Sequence, residues 1–286
     1  MNTQPAIADH GLIGDLQTTA LVATDGTIDW FCAPRFDSPS IFAALLDTEK
    51  GGHCSIVPDG VEYVTKQLYL PGTPILITRF MSADGVGELI DFMPIAGDQA
   101  TDRHRLVRMV RVVRGRMRFR FECEPRFNYG RDSADVVLTS DGASFRSATM
   151  SMNVSASRRG RRLVREDDLR GTNTGVLAFA DLVEGDVGGL VLETAPDGPV
   201  EVVPPDEIEG LFEETRDFWR TWIGRSRYRG RWREVVERSA MTLKLMTYAP
   251  TGALVAAPTA GLPEQVGGER NWDYRFTWIR DASFSV

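Results

Sequence analysis

The segment Asn271–Asp281, reading NWDYRFTWIRD, gathers the side chains best suited to hold a small polar ligand. Arg280 offers a planar fork of donors, and Asp281 offers acceptors only. A hydroxyl both donates and accepts. An adjacent Arg and Asp can therefore fix a pair of sugar hydroxyls through charge-assisted hydrogen bonds. Tyr274 and Trp278 lie just upstream, and an aromatic face is a platform for the apolar C–H face of a pyranose. Such a group recognises a sugar without a cofactor. A second reading stands beside it: Trp272, Tyr274, Phe276 and Trp278 alternate, with Asp273 and Arg275 opposite them, as in a half-buried edge strand.

Other chemistries are poorly provided for. The three histidines, His10, His53 and His104, are far apart, and the three cysteines, Cys32, Cys54 and Cys123, form no close pair. This spacing offers no metal site and no disulfide framework, so a reducing cytoplasm is the expected compartment. Gly267-Gly268 lacks the Lys-Ser/Thr and the strand–loop–helix context of a phosphate cradle. Residues 101–170 hold 17 basic and 9 acidic side chains, within a chain of net charge −7. From Arg114 to Glu122 the arginines 114, 116, 118 and 120 fall on one face and Met117, Phe119 and Phe121 on the other. Aromatics on the buried face cannot stack on bases beside the arginines, so a solvated strand face is expected rather than a nucleic-acid surface. Ser157 to Arg165 reads as an exposed basic loop. The N-terminus has neither a basic nor an apolar leader region, and no apolar run approaches the length that spans a bilayer.

The elements that must position these residues change character along the chain. The first two hundred residues read as short antiparallel strands divided by turns such as Asp25-Gly26, Asp84-Gly85 and Asp141-Gly142, which suggests a β-sandwich. Val203-Pro204-Pro205 marks a boundary. Beyond it Asp206 is placed to cap a helix carrying Ile208, Leu211, Phe212, Phe218, Trp219, Trp222 and Ile223. A second helix is expected over Trp232–Tyr248, with Trp232, Val235, Val236, Ala240, Leu243 and Met246 as its apolar stripe. A Gly- and Pro-rich loop follows over Thr251–Gly268, and Asp281–Val286 reads as the opening of another helix.

The aromatic segment resembles the substrate-binding signature of glycoside hydrolase family 15, the glucoamylase and trehalase family. There a Tyr, a Trp and an Arg-Asp pair line the subsite for the non-reducing glucose; position by position these are Tyr274, Trp278, Arg280 and Asp281. The resemblance extends upstream, through Ile13-Gly14-Asp15, Asp25–Trp30, Pro34–Pro39, Asp91–Pro94, Pro125–Gly130 and Leu262-Pro263-Glu264.

The resemblance implies an N-terminal antiparallel β-sandwich over residues 1–203, a linker helix over 204–229, and the first helices of an (α/α)6 toroid over 230–286. It also implies an inverting exo-α-glucosidase, glucoamylase-like or trehalase-like, acting on an α-glucoside with no cofactor. Inversion needs one carboxylic acid for the leaving oxygen and one carboxylate for water. In the family both glutamates lie downstream of the Arg-Asp pair, and Glu264 and Glu269 precede it. The chain is therefore expected to be a truncated part of such an enzyme, inactive alone, with no catalytic residue of its own. Glu264 is expected to organise its loop, and Trp232, Val235, Leu243 and Met246 are expected to face water and favour self-association. The alternative is a non-catalytic glucan-binding or regulatory β-sandwich module. Nucleic-acid and membrane partners are not expected.

Overall fold

The computed structural model describes residues 5–140, 142–158, 169–172, 174–196, 198–265 and 267–285, with the backbone alone for Arg158, Asp281, Phe284 and Ser285. Most of the basic loop expected over 157–165 and Asp141 of the third Asp-Gly turn lie outside the described residues. Strands occupy the first two-thirds: β1 (His10–Gly14), β2 (Thr19–Ala23), β3 (Ile28–Cys32), β4 (Ser40–Phe42), β5 (His53–Pro58), β6 (Tyr63–Tyr69), β7 (Leu76–Ser82) and β8 (Gly85–Phe92). Then come β9 (Arg105–Glu124), β10 (Asp135–Thr139), β11 (Gly142–Arg146), β12 (Ser151–Arg158), β13 (Leu169–Gly171), β14 (Val176–Val183) and β15 (Val187–Thr194). All pairings among them are antiparallel.

The long strand β9 belongs to two layers. Its first half pairs with β8 and β15, setting Val110 opposite Leu89 and Val107 opposite Val191. Its second half pairs with β5 and β14, with Phe121 opposite both Ile56 and Ala178. Gly115, at φ 73°, stands where β9 passes between layers. A Cβ at that position would collide with the Asp84 carbonyl, so only glycine fits. Ile28 and Ala178 from one layer and Leu89, Phe145 and Leu192 from the other share a single core. This is the antiparallel, two-layered arrangement expected from the alternation and the turns.

Met117, Phe119 and Phe121 point into that core and Arg118 and Arg120 stand outside, as period two requires. The arginines are laced to carboxylates. Arg118 pairs with Asp181, Arg120 with Glu122, and Arg79 and Arg111 both grip Glu88.

After α1 (Phe127–Gly130), a four-residue turn with Asn128 and Tyr129 in the left-handed region, the next helix is α2 (Pro205–Ile223). Its N-cap is Pro204 and Pro205 occupies the first turn. Pro suits that position, where its missing N–H costs nothing. Asp206 therefore sits within the first turn rather than at the cap expected for it. Ile208 packs on Ile75, Phe92, Val107 and Val191 on the outer face of the second layer, so α2 is seated on the β-structure. Trp219 and Ile223 pack with Leu16 and with Met241 and Leu245 of α3 (Arg233–Leu245). The buried stripe of α3 is thus Met241 and Leu245. Of the stripe drawn from spacing, Trp232, Val235, Val236 and Leu243 are exposed, as expected of Trp232, Val235 and Leu243 in this chain, whereas Met246, also expected to face water, is half-buried.

The stretch expected to be a loop over 251–268 contains strands. A hairpin pairs β16 (Thr247–Tyr248) with β17 (Ala253–Leu254), and β18 (Ala260–Pro263) pairs with β19 (Asn271–Asp273). The last element is α4 (Ile279–Ser285). Among the described residues, no helix is long and apolar enough to cross a membrane.

Candidate functional site

The aromatic segment begins as a strand and stops being one at Asp273. Its Oδ1 accepts a hydrogen bond from the Arg275 main-chain N–H at 3.1 Å. A carboxylate that bonds its own backbone two residues on closes a turn, and the alternation ends there. The edge strand considered from the pattern is therefore confined to Asn271–Asp273, and residues 274–278 form turns and bends leading into α4.

Arg275 fastens this turn to the β-structure. Its guanidinium donates to both Asp273 oxygens, Nε to Oδ1 at 2.9 Å and Nη2 to Oδ2 at 2.7 Å. Nη1 reaches the carbonyls of Phe36 at 3.1 Å and Ser38 at 2.7 Å. The same nitrogen lies 3.4 Å from the Cys32 sulfur. Arg275 is only 6% exposed, and its plane lies over the Tyr129 ring. Burial alone would raise the Asp273 carboxyl, but the Arg275 hydrogen bonds and charge outweigh it and hold the carboxyl low. Burial pushes the Cys32 thiol up to about 12, so it is a neutral packing group. The sequence pattern set Arg275 on the outer side of a strand. The structure places it inside, and the Asp-x-Arg spacing of the turn is the local signal that could have shown it.

Main-chain bonds complete the anchorage. The Ala256 N–H donates to the Phe276 carbonyl and the Ala257 N–H to the Tyr274 carbonyl. The Trp30 indole of β3 donates to the Pro258 carbonyl at 2.7 Å. The Trp272 indole donates to Glu264 Oε1 at 3.1 Å, and the Glu264 N–H bonds the Arg270 carbonyl. Glu264 thus braces its loop, in keeping with the role expected of it.

Of the four residues singled out from the sequence, Tyr274 and Trp278 come together. Their rings stack with centroids 5.7 Å apart and planes 16° from parallel. At that spacing the rings pack on one another, so a ligand meets an outer face of the pair rather than entering between them. Trp278 remains 45% exposed, beside exposed Phe276 and Trp272. Arg280 and Asp281 fall in the first turn of α4, two and three residues beyond Trp278. Arg280 is exposed, and the Asp281 side chain lies outside the described residues.

Residues 2–177 match the family model described as trehalase-like, N-terminal, and residues 230–286 match glycosyl hydrolases family 15. A trehalase of Mycolicibacterium smegmatis is 36% identical, across 100% of this chain and 44% of the relative. A trehalase of Thermoplasma volcanium is 35% identical, across 99% of this chain and 44% of the relative. The chain therefore spans less than half the length of these relatives. The crystal structure of a bacterial glucoamylase complexed with acarbose shares the fold with a TM-score of 0.62 at 12% identity, over 98% of this chain and 46% of that one.

Proposed function

The chain belongs to glycoside hydrolase family 15, with a trehalase-like N-terminal region, and on that premise we propose that it serves an inverting exo-α-glucosidase whose first substrate to test is trehalose. The relatives carrying the name trehalase motivate that choice of substrate. In this reading residues 1–203 form the N-terminal β-domain, 204–229 connect it, and 230–286 open the catalytic toroid. The sparse, buried cysteines suit a cytoplasmic enzyme.

The observation that carries the proposal is the stacked Tyr274–Trp278 pair, open to solvent and pinned by Arg275. An apolar platform fixed to a rigid layer, with a guanidinium two residues on, suits one face of a glucose ring and its hydroxyls. Arg280 and Asp281 would grip adjacent hydroxyls, and Tyr274 and Trp278 would carry the ring. The acid and base required for inversion would come from outside these 286 residues. The exposed side chains of α3, Trp232 and Val235 foremost, would be covered by further toroid helices; alone they would draw copies of the chain together.

Two preparations test this. The 286-residue polypeptide alone should release no glucose from trehalose or maltose. A hybrid in which it replaces the matching part of the M. smegmatis trehalase should release glucose from trehalose. In that hybrid Trp278→Ala and Arg280→Ala should each lower kcat/KM by roughly 10- to 100-fold, the worth of a charged hydrogen bond or a lost platform. Turnover by the polypeptide alone, or full turnover by both variants of the hybrid, would refute the assignment.

A further inference from the structure

The three cysteines stand far apart in the sequence, but the fold brings two of them together. Cys54 of β5 lies directly opposite Cys123 of β9 in the antiparallel ladder. Residues opposite one another in such a ladder send their side chains to the same face, with Cα atoms about 4.5–5.5 Å apart. That separation falls inside the ~4.4–6.8 Å that a disulfide spans. Both side chains belong to the core shared by the two layers, and both are free, buried thiols.

The two thiols are not equivalent. The Cys123 thiol donates a hydrogen bond to the Cys54 sulfur, and Arg108 Nη1 stands 3.5 Å from that sulfur. The hydrogen bond first, and the Arg108 charge after it, hold the Cys54 thiol below its ordinary value although burial opposes them. Burial pushes the Cys123 thiol well up, so one partner is the nucleophile and the other keeps its proton. Cys32 lies in a separate cluster with Trp30 and Leu45, and burial pushes it up to about 12.

We propose that Cys54 and Cys123 form a reversible modification site, a dithiol that a hydroperoxide converts to a cross-strand disulfide. The Cys54 thiolate attacks one oxygen of hydrogen peroxide and the O–O bond breaks. Cys54 becomes a sulfenic acid, and the departing hydroxide takes up the proton that Cys54 had released. The Cys123 sulfur then attacks the Cys54 sulfur, an S–S bond replaces the S–O bond, and water leaves with the Cys123 proton. Two thiols and one peroxide give one disulfide and two waters. Toward β3 the ladder of β5 has a single register pair, Ile28 with Cys54, and local opening there admits an oxidant little larger than water. The link ties β5 to the second half of β9. A reducing compartment returns the pair to thiols once the peroxide is spent. The sugar-binding reading plays no part in this, and no residue of the aromatic segment is involved.

Peroxide treatment of the folded 286-residue chain, followed by alkylation in urea and peptide mapping, tests it. The treated chain should carry one alkylatable thiol, at Cys32, where the untreated chain carries three. The peptides holding Cys54 and Cys123 should be joined, and dithiothreitol should separate them. Closing so long a loop should also speed migration in a non-reducing denaturing gel and raise the midpoint of urea unfolding. Cys123→Ser removes the thiol that resolves the sulfenic acid, so Cys54 of that variant should take up dimedone where the parent does not. Mapping of the parent decides the matter even if the variant folds poorly. The proposal is overturned if all three thiols survive peroxide, if the joined pair includes Cys32 or a second copy of the chain, if the linked chain unfolds at a lower urea midpoint, or if Cys54 of the parent stops at the sulfenic acid.

Discussion

Replacing Arg275 by Met should free the aromatic segment from the β-layer while leaving that layer folded. Methionine keeps the length and apolar stem of the side chain but removes every donor. The structure assigns the cost to particular acceptors. The Asp273 carboxylate is about one-third exposed, so water can replace much of what it loses. The Phe36 carbonyl belongs to a residue only 3% exposed, and Ser38 is half-buried. These two acceptors lose a charged donor that they cannot fully replace. At about 1–2 kcal/mol each the loss is about 2–4 kcal/mol.

The loss should be local, because the oxygens that accept from Arg275 lie in Asp273 and the Phe36–Ser38 turn, and its one contact with a strand is the weak acceptor Cys32 Sγ at the end of β3. Amide hydrogen exchange at Ala256 and Ala257 reads it directly, since those N–H groups bond the carbonyls of Phe276 and Tyr274. At 1.36 kcal/mol per decade, their exchange should quicken roughly 30- to 900-fold, while amides in the middle of β9 keep their rates. A change below threefold at both alanines would show that the segment is held by something other than Arg275. Equal acceleration throughout β9 would show that Arg275 supports the whole fold and not the site. Arg275→Lys should resemble the Met variant, because one ammonium cannot span a carboxylate and two carbonyls.

Two further outcomes follow from buried charges and a third from exposed apolar side chains. His10 bonds Asp29 at 2.8 Å and His104 bonds Asp15 at 2.6 Å. Burial lowers both imidazoles, but the carboxylate hydrogen bonds and charges outweigh it and raise them. Their stabilisation is complete below the ordinary histidine value near ~6.5 and is lost as pH climbs through the raised folded values. The melting temperature should therefore fall from about pH 6.5 upward, and His104→Gln should flatten that slope; an unchanged slope would count against it. Arg108, fully buried, bonds Asp91 at 2.7 Å as well as the Cys54 and Gly26 carbonyls. Arg108→Met should cost about 3–5 kcal/mol in urea unfolding by stranding Asp91, and adding Asp91→Leu should recover a large part of it. Sedimentation of the isolated 286-residue chain should show association, and Val235→Glu together with Trp232→Gln should reduce it.

The sequence made the β-layers legible wherever one face of a strand meets the core, because that condition alone imposes period two. Met117, Phe119 and Phe121 against Arg118 and Arg120 are the clear instance. The helices α2 and α3 were legible as elements but less so by face. The stripe of α3 drawn from spacing ran through Trp232 and Val235, whereas the neighbours actually available, Leu16 and Trp219, meet Met241 and Leu245. An apolar stripe wider than its partner leaves its surplus in water, and no spacing rule says which side that will be. Arg275 was the harder case. An arginine is buried only where its donors are met, and two of its acceptors lie 239 and 237 residues earlier in the chain.

The same turn that ends the strand also gives the proposed site its form. Continued as an edge strand, Trp272, Tyr274, Phe276 and Trp278 would share one face and be hidden together against a layer. Asp273 closes a turn on the Arg275 N–H instead, so the chain leaves the pleat after three residues. Tyr274 and Trp278, four apart, then meet ring to ring, while Trp272, Phe276 and Trp278 stay exposed at 57, 51 and 45%. Leaving so much aromatic surface in water forgoes burial worth about 1.5–3 kcal/mol for a large apolar side chain. Burying Arg275 beneath it demands a complete set of partners. A fold that accepts both costs at one turn holds an apolar platform open, as the proposed sugar-binding face would require, and releasing the turn by way of Arg275 should abolish that platform before anything else is lost.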